Sequence, residues 1–493
     1  MRKSIALSFL LISFFNALDR ALGFFFKIFL SRSLGAENVG VYQLATSLFF
    51  VLLTLISSGI PLVVSKRVAA APKASDNKKE SGKIVSAALI VGLVTAALPC
   101  LLVPALKPLI ENEVGVKAYN LLLLLLPALL FSAVYGALRG WLWGKEKFFF
   151  VSLVEIIEQV ARIISCVIMI ISGVDGLIAA ASSLTIGCLV SALSTLWLFL
   201  KSGGRLSSPK GNILPFIKSE APITLSRASR SLLSSLFSVV VPALLVIGGL
   251  SETDALSQFG SSQGMALPLL FTPLTIIGAL AFVLVPRLSS SSGGSALGEK
   301  ITGAISFSAF VACLFLPVFG ALGRQIGLFV YDDQLSGEFM SYSAWIMIPI
   351  SLEAITCSIM NSLDLEGRSL VSALLGYLCQ GLFYLAMLRG FSLKVFSVGL
   401  GLSAIVTTAL NLAAISKKVN LSKASFITPI KCVLLALPSS LLTRNLAQIL
   451  PLSPFFVIAV SGTVGMLAFC LLSVCFNAID VNGFFAKKSR KFS

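Results

Sequence analysis

Long, almost unbroken runs of hydrophobic residues alternate with short polar segments along the whole chain. A helix needs about 20 apolar residues to cross the hydrocarbon core of a bilayer, and the runs have that length. Their continuity favours helices over the strands of a membrane barrel, in which polar and apolar positions alternate. The pattern predicts about 14 transmembrane spans, at approximately 5–31, 40–64, 84–106, 118–140, 148–172, 176–200, 221–248, 262–285, 301–323, 339–362, 369–388, 395–415, 425–447 and 453–476.

The composition of the chain supports an all-α polytopic membrane protein. Hydrophobic residues make up 57% of its 493 residues and charged residues only 12%, with a mean hydropathy of +0.97. Soluble domains are nearer one-quarter charged, so a soluble enzyme and a disordered chain are both excluded. The first apolar run is typical of a signal peptide at its start, but Asp19 and Arg20 interrupt it. We therefore predict an uncleaved first span.

Histidine is absent, which removes histidine general bases and histidine metal sites from consideration. The nine cysteines contain no CxxC spacing, so neither a zinc site nor a disulfide framework is indicated. We expect no metal, no cofactor and no catalytic residue.

Two polar breaks divide the predicted spans into blocks. The segment 201–218 is rich in Lys, Gly and Ser, and the segment 416–424 is rich in Lys and Ser, which is typical of linkers. We predict an N-lobe of six spans over 1–206, a C-lobe of six spans over 207–418, and a helix pair with a basic tail over 419–493. The Gly40 to Arg67 spacing recurs from Gly260 to Arg287, which favours a duplication with parallel repeats. Transporters of this build place the site in a cavity between the halves.

The net charge of +17 is concentrated in alternate loops and in the C-terminal tail. Cytoplasmic loops of membrane proteins carry an excess of Lys and Arg. The distribution predicts cytoplasmic N- and C-termini and contacts with anionic membrane lipids. It explains the charge without nucleic-acid binding, which we do not expect.

Polar side chains interrupt the first span along one helical stripe, at spacings of i, i+3, i+4, i+7 and i+11. An ionisable group inside a membrane is expensive and by default faces a cavity or a partner helix. Arg20 lies about 15 residues into the span, roughly 22 Å along the axis, too deep to snorkel easily. We expect Arg20 to line a cavity, whereas cavity lining and packing stay open for the acid and the lysine. The stripe consists of Asn16, Asp19, Arg20, Gly23 and Lys27.

Similar stripes run along the fifth and seventh spans. In the fifth, Glu155, Glu158 and Arg162 share a face. A Glu158–Arg162 pair at i, i+4 would satisfy itself, so both structural and functional roles stay open. In the seventh, Arg227 and Arg230 begin a stripe that continues as serine hydroxyls, which favours a water-accessible surface.

Other intramembrane polar groups favour helix packing. Glu353 is isolated in the tenth span, and interhelical hydrogen bonding is its expected role. Tyr377, Gln380 and Tyr384 share a face of the eleventh span, where a packed interface is favoured over a contact with sugar. The deep charges therefore lean cationic. Guanidinium groups suit phosphate and pyrophosphate ligands.

Several segments resemble a known family. "NALDRALGFFFKIFLSRSLGAENVGVYQLATSLF" and the following "SSGIPLVVSKRVA" resemble the start of the multidrug/oligosaccharidyl-lipid/polysaccharide (MOP) exporter superfamily. Within it, the polysaccharide biosynthesis and stage V sporulation protein B branch, related to lipid II flippases of the MurJ type, is the nearest. "RGWLWGKEKF", "EIIEQVARI" and "VPRLS" support this resemblance, which is specific at the N-terminus and looser in the second lobe.

The resemblance implies two lobes around a V-shaped cavity and flipping of a lipid-linked saccharide by alternating access. Arg20 matches a basic first-span position implicated in holding pyrophosphate in lipid II flippases. Lys27 matches a basic position common in the sporulation branch. An acidic residue often present midway along the seventh span is absent, where Phe237, Ser238 and Val239 stand. That departure weakens any inference of ion coupling through this position.

The preferred hypothesis is a flippase that moves a polyprenyl-pyrophosphate-linked saccharide across the bacterial cytoplasmic membrane for cell-envelope biosynthesis. Peptidoglycan, spore cortex and other polysaccharide precursors all stay open. No Walker A motif is present, so a sodium or proton gradient or the membrane potential would supply the energy. The candidate substrate-binding residues are Arg20, Lys27, Asp19, Arg227, Arg230, Arg162 and Asn16. The candidate ion-coupling residues are Asp19, Glu155 and Glu353.

The alternative is a cation-coupled multidrug or metabolite antiporter of the same fold, which would need an acidic cavity residue. A scaffold without transport is disfavoured because the loops and the tail are short.

Overall fold

The structure is a computed structural model that describes residues 2–70, 77–278, 280 and 295–478. It divides into two compact units, Met1–Val240 (unit 1) and Val241–Ser493 (unit 2). Unit 1 is built from eight α-helices within its described residues, the last of which continues into unit 2. They are α1 (Arg2–Ser57), α2 (Ile60–Ala70), α3 (Asn77–Ala105), α4 (Lys107–Val114), α5 (Val116–Gly144), α6 (Phe148–Ile171), α7 (Gly176–Lys201) and α8 (Ile213–Ile247).

Helix α1 contains both the first and the second predicted spans. It is 56 residues long and is interrupted at Gly35, whose backbone has φ 73° and ψ 169°. Few residues other than glycine adopt a positive φ without strain, so glycine permits the change of direction here. We conclude that α1 consists of two helical arms joined at Gly35.

Helix α5 occupies the centre of unit 1 and packs against α1, α2, α3 and α7. Gly136, Gly140 and Gly144 form a stripe at intervals of four residues on the face that meets α2. A Cβ atom at Gly140 would lie 2.7 Å from the carbonyl oxygen of Pro61, and one at Gly144 would lie 2.8 Å from Val68 Cβ. Small residues at this spacing let two membrane helices approach closely. The glycine stripe therefore lets α2 pack closely against the C-terminal half of α5, which the sequence predicts to be the cytoplasmic half.

Unit 2 is also helical throughout its described residues. A π-helical segment (Gly260–Ala266) joins α9 to α10, and helix continues over 272–278. The π-helix continues without a break into α10 (Leu267–Leu270). In the same way, α12 (Gln334–Ser343) continues through a 3₁₀ turn (Ala344–Ile346) into α13 (Met347–Ser362). The helices are α9 (Glu252–Phe259), α10 (Leu267–Leu270), α11 (Ser295–Tyr331), α12 (Gln334–Ser343), α13 (Met347–Ser362), α14 (Glu366–Ala386), α15 (Leu393–Ser416), α16 (Ala424–Ile449) and α17 (Pro454–Cys475).

The all-α, multi-span fold class is confirmed. Among the described residues, ten helical stretches are long and apolar enough to cross a membrane, and one of them, Ala17–Ala70, spans two predicted segments. Helix α6 has sufficient length, at 24 residues, but Glu155, Glu158 and Arg162 give it more charge than an ordinary apolar span. The count of 14 and the lobe boundaries at 206 and 418 stay predictions.

Candidate functional site

A cavity of about 510 Å³ lies inside unit 1. Helices α1, α2, α5, α6 and α7 and the link between α1 and α2 form its walls. Aromatic and aliphatic side chains alternate with hydroxyls and with three charged groups, which is typical of small-molecule pockets. The lining residues are Phe49, Phe50, Leu53, Ser57, Ser58, Pro61, Leu62, Ser132, Tyr135, Gly136, Arg139, Trp143, Glu158, Arg162, Leu184, Cys188 and Ser191.

Arg162 reaches from α6 to both arms of α1. Its Nη2 donates a hydrogen bond of 2.7 Å to the hydroxyl of Tyr42, which follows the break at Gly35. Its guanidinium also lies over the ring of Phe26, which precedes the break, at 5.2 Å from the ring centre. A cation over an aromatic face is attracted by the ring quadrupole. Arg162 thus connects two arms whose relative direction Gly35 leaves adjustable.

Arg139 lies on α5 between two aromatic rings and opposite an acid. Its guanidinium is 5.5 Å from the ring centre of Tyr135 and 4.3 Å from that of Trp143, one turn before and one turn after it. Its Nη2 lies 2.7 Å from Glu155 Oε1 on α6, and both side chains are about three-quarters buried. The hydroxyl of Tyr135 also donates to Glu155 Oε1, at 3.4 Å. The stack holds the guanidinium plane in a fixed orientation.

The two arginines share an unusual feature. The Nε atoms of Arg139 and Arg162 are buried and find no hydrogen-bond acceptor among the described residues. A buried donor without an acceptor has lost its hydrogen bonds to water and gained none in return, which costs on the order of 1–3 kcal/mol. Buried groups left in this state in a native protein require an explanation.

Acidic groups surround the arginines on the same helices. Asp19 of α1 interacts electrostatically with Glu155 and Arg162 of α6 as well as with its neighbour Arg20. Glu158 interacts with Ser191 of α7 and with Arg162. No cluster of three His, Cys, Asp or Glu with metal-binding geometry exists among the described residues. The arrangement alternates charges of both signs and can bind a ligand that presents acceptors and donors.

The structure brings together four of the residues that the sequence singled out, namely Asp19, Glu155, Glu158 and Arg162. The side chains of Arg20 and Lys27 are exposed on α1, beyond the cavity lining. Glu353 lies on α13 in unit 2 and does not line this cavity. The side chains of Asn16, Arg227 and Arg230 lie outside the described residues, although α1 and α8 carry these positions.

Glu158 and Arg162 interact electrostatically along α6, but they form no salt bridge within 4 Å. Arg162 donates its hydrogen bond to Tyr42 of α1 instead. The ion pair formed in this region joins Glu155 of α6 to Arg139 of α5.

Sequence reasoning missed Tyr42, Tyr135, Arg139 and Trp143. Arg139 falls at the end of the predicted span 118–140, whereas α5 continues to Gly144 and keeps Arg139 inside the helix. The signal that could have found it is the spacing of Tyr135, Arg139 and Trp143 at i, i+4 and i+8, which places all three on one helical face.

The packed interface expected in unit 2 is confirmed. Gln380 and Tyr384 of α14 are buried at 0% and 2% exposure. Gln380 Nε2 donates to the Tyr384 hydroxyl at 2.9 Å, and that hydroxyl donates to the carbonyl of Phe396 at 3.0 Å. These groups hydrogen-bond to one another and to the backbone at Phe396.

Helices of membrane-spanning length and a cavity lined by three charged groups define the class to which the chain belongs, a multi-span membrane protein with charge inside its helices. The chain belongs to the polysaccharide biosynthesis protein family, whose family model matches residues 6–292. It is 25% identical to stage V sporulation protein B of Bacillus subtilis (strain 168) over 433 residues, which cover 82% of each chain. The membership predicted from the sequence is thereby confirmed.

Solved structures show the same fold. The inward closed conformation of the lipid II flippase MurJ matches with a TM-score of 0.78 at 14% identity, covering 95% of this chain and 98% of that one. An inward-facing multidrug resistance MATE family transporter of the MOP superfamily matches with a TM-score of 0.68 at 17% identity, covering 82% and 96%. The solved structures that share this fold are thus a lipid II flippase and a multidrug transporter.

Proposed function

We propose that this protein is a flippase that moves a polyprenyl-pyrophosphate-linked saccharide from the cytoplasmic to the outer leaflet of a bacterial cytoplasmic membrane. It would act by alternating access between two lobes, with cytoplasmic termini. The product would feed the synthesis of a cell-envelope polysaccharide such as peptidoglycan. Membership of the family and the similarity to stage V sporulation protein B support this assignment.

One observation carries the proposal, namely the charge cluster inside the helices of unit 1. Asp19, Glu155, Glu158, Arg139 and Arg162 lie on helices of membrane-spanning length and interact across them. Charges at this depth are expensive and mark substrate or ion pathways. A lipid whose head carries pyrophosphate and sugar hydroxyls presents the groups that such a cluster binds.

Individual roles follow from the chemistry of the side chains. Arg20 and Lys27 of α1 would attract the pyrophosphate, and Arg227 and Arg230 of α8 would serve as second contacts. Asn16 would donate to the saccharide. Asp19 and Glu155 would bind a proton or sodium ion in competition with their pairing to the arginines, which would couple flipping to an ion gradient, and Glu353 would bind the coupling ion in unit 2.

A depletion experiment tests the proposal. A bacterium depleted of its own lipid II flippase would receive the wild type, Arg20→Ala or the control Arg324→Ala, at equal membrane levels, and outer-leaflet lipid II would be measured. Arg324 suits the control because it is exposed in unit 2, with 70% of its side chain accessible. We expect the wild type and the control to restore outer-leaflet lipid II and Arg20→Ala to fail.

Full restoration by Arg20→Ala would remove the role of that residue. Failure of a well-expressed wild type would remove lipid II as the substrate and leave other lipid-linked saccharides.

The acids of unit 1 favour a second candidate, a cation-coupled antiporter of drugs or metabolites. Asp19 and Glu155 interact with each other, and paired carboxylates inside a membrane suit proton or sodium binding. Drug-stimulated proton or sodium flux in proteoliposomes, abolished by Asp19→Asn, would support this candidate. Flux that is unaffected by every tested drug would exclude it.

A further inference from the structure

We propose that unit 2 contains a hinge at residues 260–273, where a π-helical segment changes to α-helix as the protein changes conformation. The π-helical segment is Gly260–Ala266, between α9 and α10. It overlaps the start of the predicted eighth span, 262–285. This hinge would serve the proposed alternating access, on which its role in transport rests.

A π-helix is a wide turn that holds one residue more than the α-helix it interrupts. Its hydrogen bonds run from an N–H to the carbonyl five residues earlier, as they do from Leu267 to Ser262. Such turns occur as single interruptions of α-helices, frequently at functional sites. The described part of the eighth span is not among the ten described stretches that are long and apolar enough to cross a membrane as ordinary helices.

Pro268 explains why the wide turn lies at this position. Proline has no N–H, and its ring clashes with the carbonyl four residues earlier, which is that of Gly264. A wider turn moves this carbonyl away from the ring. Gly260 and Gly264 ease the departure from α-helix, because glycine is the least favourable residue in an α-helix after proline. The α-helical bonding resumes beyond Pro268, where Phe271 N–H donates to the Leu267 carbonyl at 2.9 Å.

Side-chain hydroxyls support the backbone on both sides of the wide turn. Ser262 Oγ donates to the carbonyl of Gln258 at 2.8 Å, where the spacing changes from α to π. Thr272 Oγ1 donates to the carbonyl of Leu269 at 2.6 Å. An α-helix would supply that donor from residue 273, which is a proline and has no N–H. Because hydroxyls rotate, they can keep backbone carbonyls bonded inside a membrane while the helix changes its spacing.

One buried hydroxyl within the wide turn indicates a second arrangement. Ser261 is 0% exposed, and its Oγ has no hydrogen-bond partner among the described residues. A buried polar group in this state requires an explanation. A change of one residue in register turns Ser261 by about 100° relative to the helix beyond the wide turn. Since the π-helical segment packs against α12, this rotation would bring the hydroxyl to new neighbours.

Amide hydrogen exchange of the purified full-length protein in lipid nanodiscs tests the hinge directly. We expect residues 260–273 to exchange about tenfold or more faster than 305–316 of α11, because a segment that interconverts opens more often. Pro268→Ala supplies the missing N–H and should slow the exchange of 260–273 about fivefold. The matched control is Pro438→Ala, since Pro438 is exposed in the unbroken helix α16. This control should leave the exchange of 260–273 unchanged.

The depletion experiment measures whether transport uses the hinge. Pro268→Ala should lower outer-leaflet lipid II about fivefold, in proportion to the shift towards α-helix, whereas Pro438→Ala should restore it as the wild type does. Deletion of Ser261 removes the extra residue of the wide turn and keeps the flanking helices in register. This second variant should also lose transport, and it replaces Pro268→Ala if that variant does not fold.

Exchange of 260–273 as slow as that of 305–316, or exchange that neither variant slows, would overturn the hinge. Full restoration of lipid II by both variants would overturn its role in transport. If the wild type itself does not restore lipid II, the flipping of lipid II is removed and exchange alone decides. Fast exchange that Pro268→Ala slows then keeps the hinge without that substrate.

Discussion

Helices α6 and α14 carry polar stripes of similar spacing and use them in opposite ways. On α6, Glu158 and Arg162 face a cavity, and Glu155 pairs across it with α5. On α14, Gln380 and Tyr384 are buried against α15 and form hydrogen bonds with each other and with its backbone. The comparison shows that a polar stripe lines a site where the neighbouring helices leave space beside it. It forms a packed interhelical contact where the neighbouring helices lie directly against it.

One glycine in the α14–α15 contact and one in the α1–α6 contact explain why the two stripes are used differently. A Cβ atom at Gly399 of α15 would overlap the ring of Tyr384, so α14 and α15 are in closest approach. A Cβ atom at Gly23 of α1 would lie 3.5 Å from Gln159 Nε2 of α6, which is ordinary contact. The helices around α6 are therefore packed less tightly on its polar face than those around α14.

Removing the ion pair between α6 and α5 should have the largest effect on stability. Glu155→Ala leaves Arg139 unpaired in a largely buried position, so we expect a loss of stability on the order of 3 kcal/mol. Thermal unfolding in detergent measures it, and the double variant Arg139→Leu/Glu155→Leu should recover most of the loss. A single variant that unfolds at the wild-type temperature would show that the ion pair is already solvated.

Adding a methyl group at the close contact between α14 and α15 should have the next largest effect on stability. Gly399→Ala forces the ring of Tyr384 to move, and overpacking of this kind costs about 1–3 kcal/mol. Gly23→Ala is the matched control and should change stability by less than about 0.5 kcal/mol. Equal unfolding temperatures of the two variants would contradict the difference in packing between the two contacts.

Removing the neutral network should cost less than removing the ion pair. Gln380→Leu deletes the amide that donates to the Tyr384 hydroxyl, and interhelical hydrogen bonds in membranes contribute about 0.6 kcal/mol on average. We expect a small loss of stability and unchanged outer-leaflet lipid II in the depletion assay. A loss of transport with intact stability would mean that this network belongs to a site after all.

The smallest effect is expected at an exposed ion pair. Arg324 lies 3.7 Å from Glu338 in unit 2 with its side chain 70% accessible. Pairs of this kind contribute about 0–1 kcal/mol because solvent screens them. Arg324→Gln should therefore leave thermal unfolding nearly unchanged. A drop comparable to that of Glu155→Ala would reverse the ranking of buried over exposed charge.

Sequence reasoning succeeded for the helices because hydrophobic periodicity is local. Runs such as 176–200 and 395–415 coincide closely with α7 (Gly176–Lys201) and α15 (Leu393–Ser416). The runs 5–31 and 40–64 likewise fall on the two arms of α1, on either side of the non-helical backbone at Gly35.

Sequence reasoning identified only some of the residues of the site. The stripe of Glu155, Glu158 and Arg162 was visible from spacing alone, as was Asp19. The partners Tyr42 and Arg139 were not, because a contact between residues 120 or 16 positions apart depends on which helices pack together.

Apolar run length, charge content and motif order were enough to predict a helical, multi-span membrane protein with charges inside its spans and to recognise its family. These are properties of neighbouring residues, so they can be interpreted without a fold. The packing of the helices was needed to establish which charges face a cavity, that Arg139 pairs with Glu155, and that Arg162 contacts both arms of α1. Those relations depend on the distances between helices, which close packing sets and which no local pattern contains.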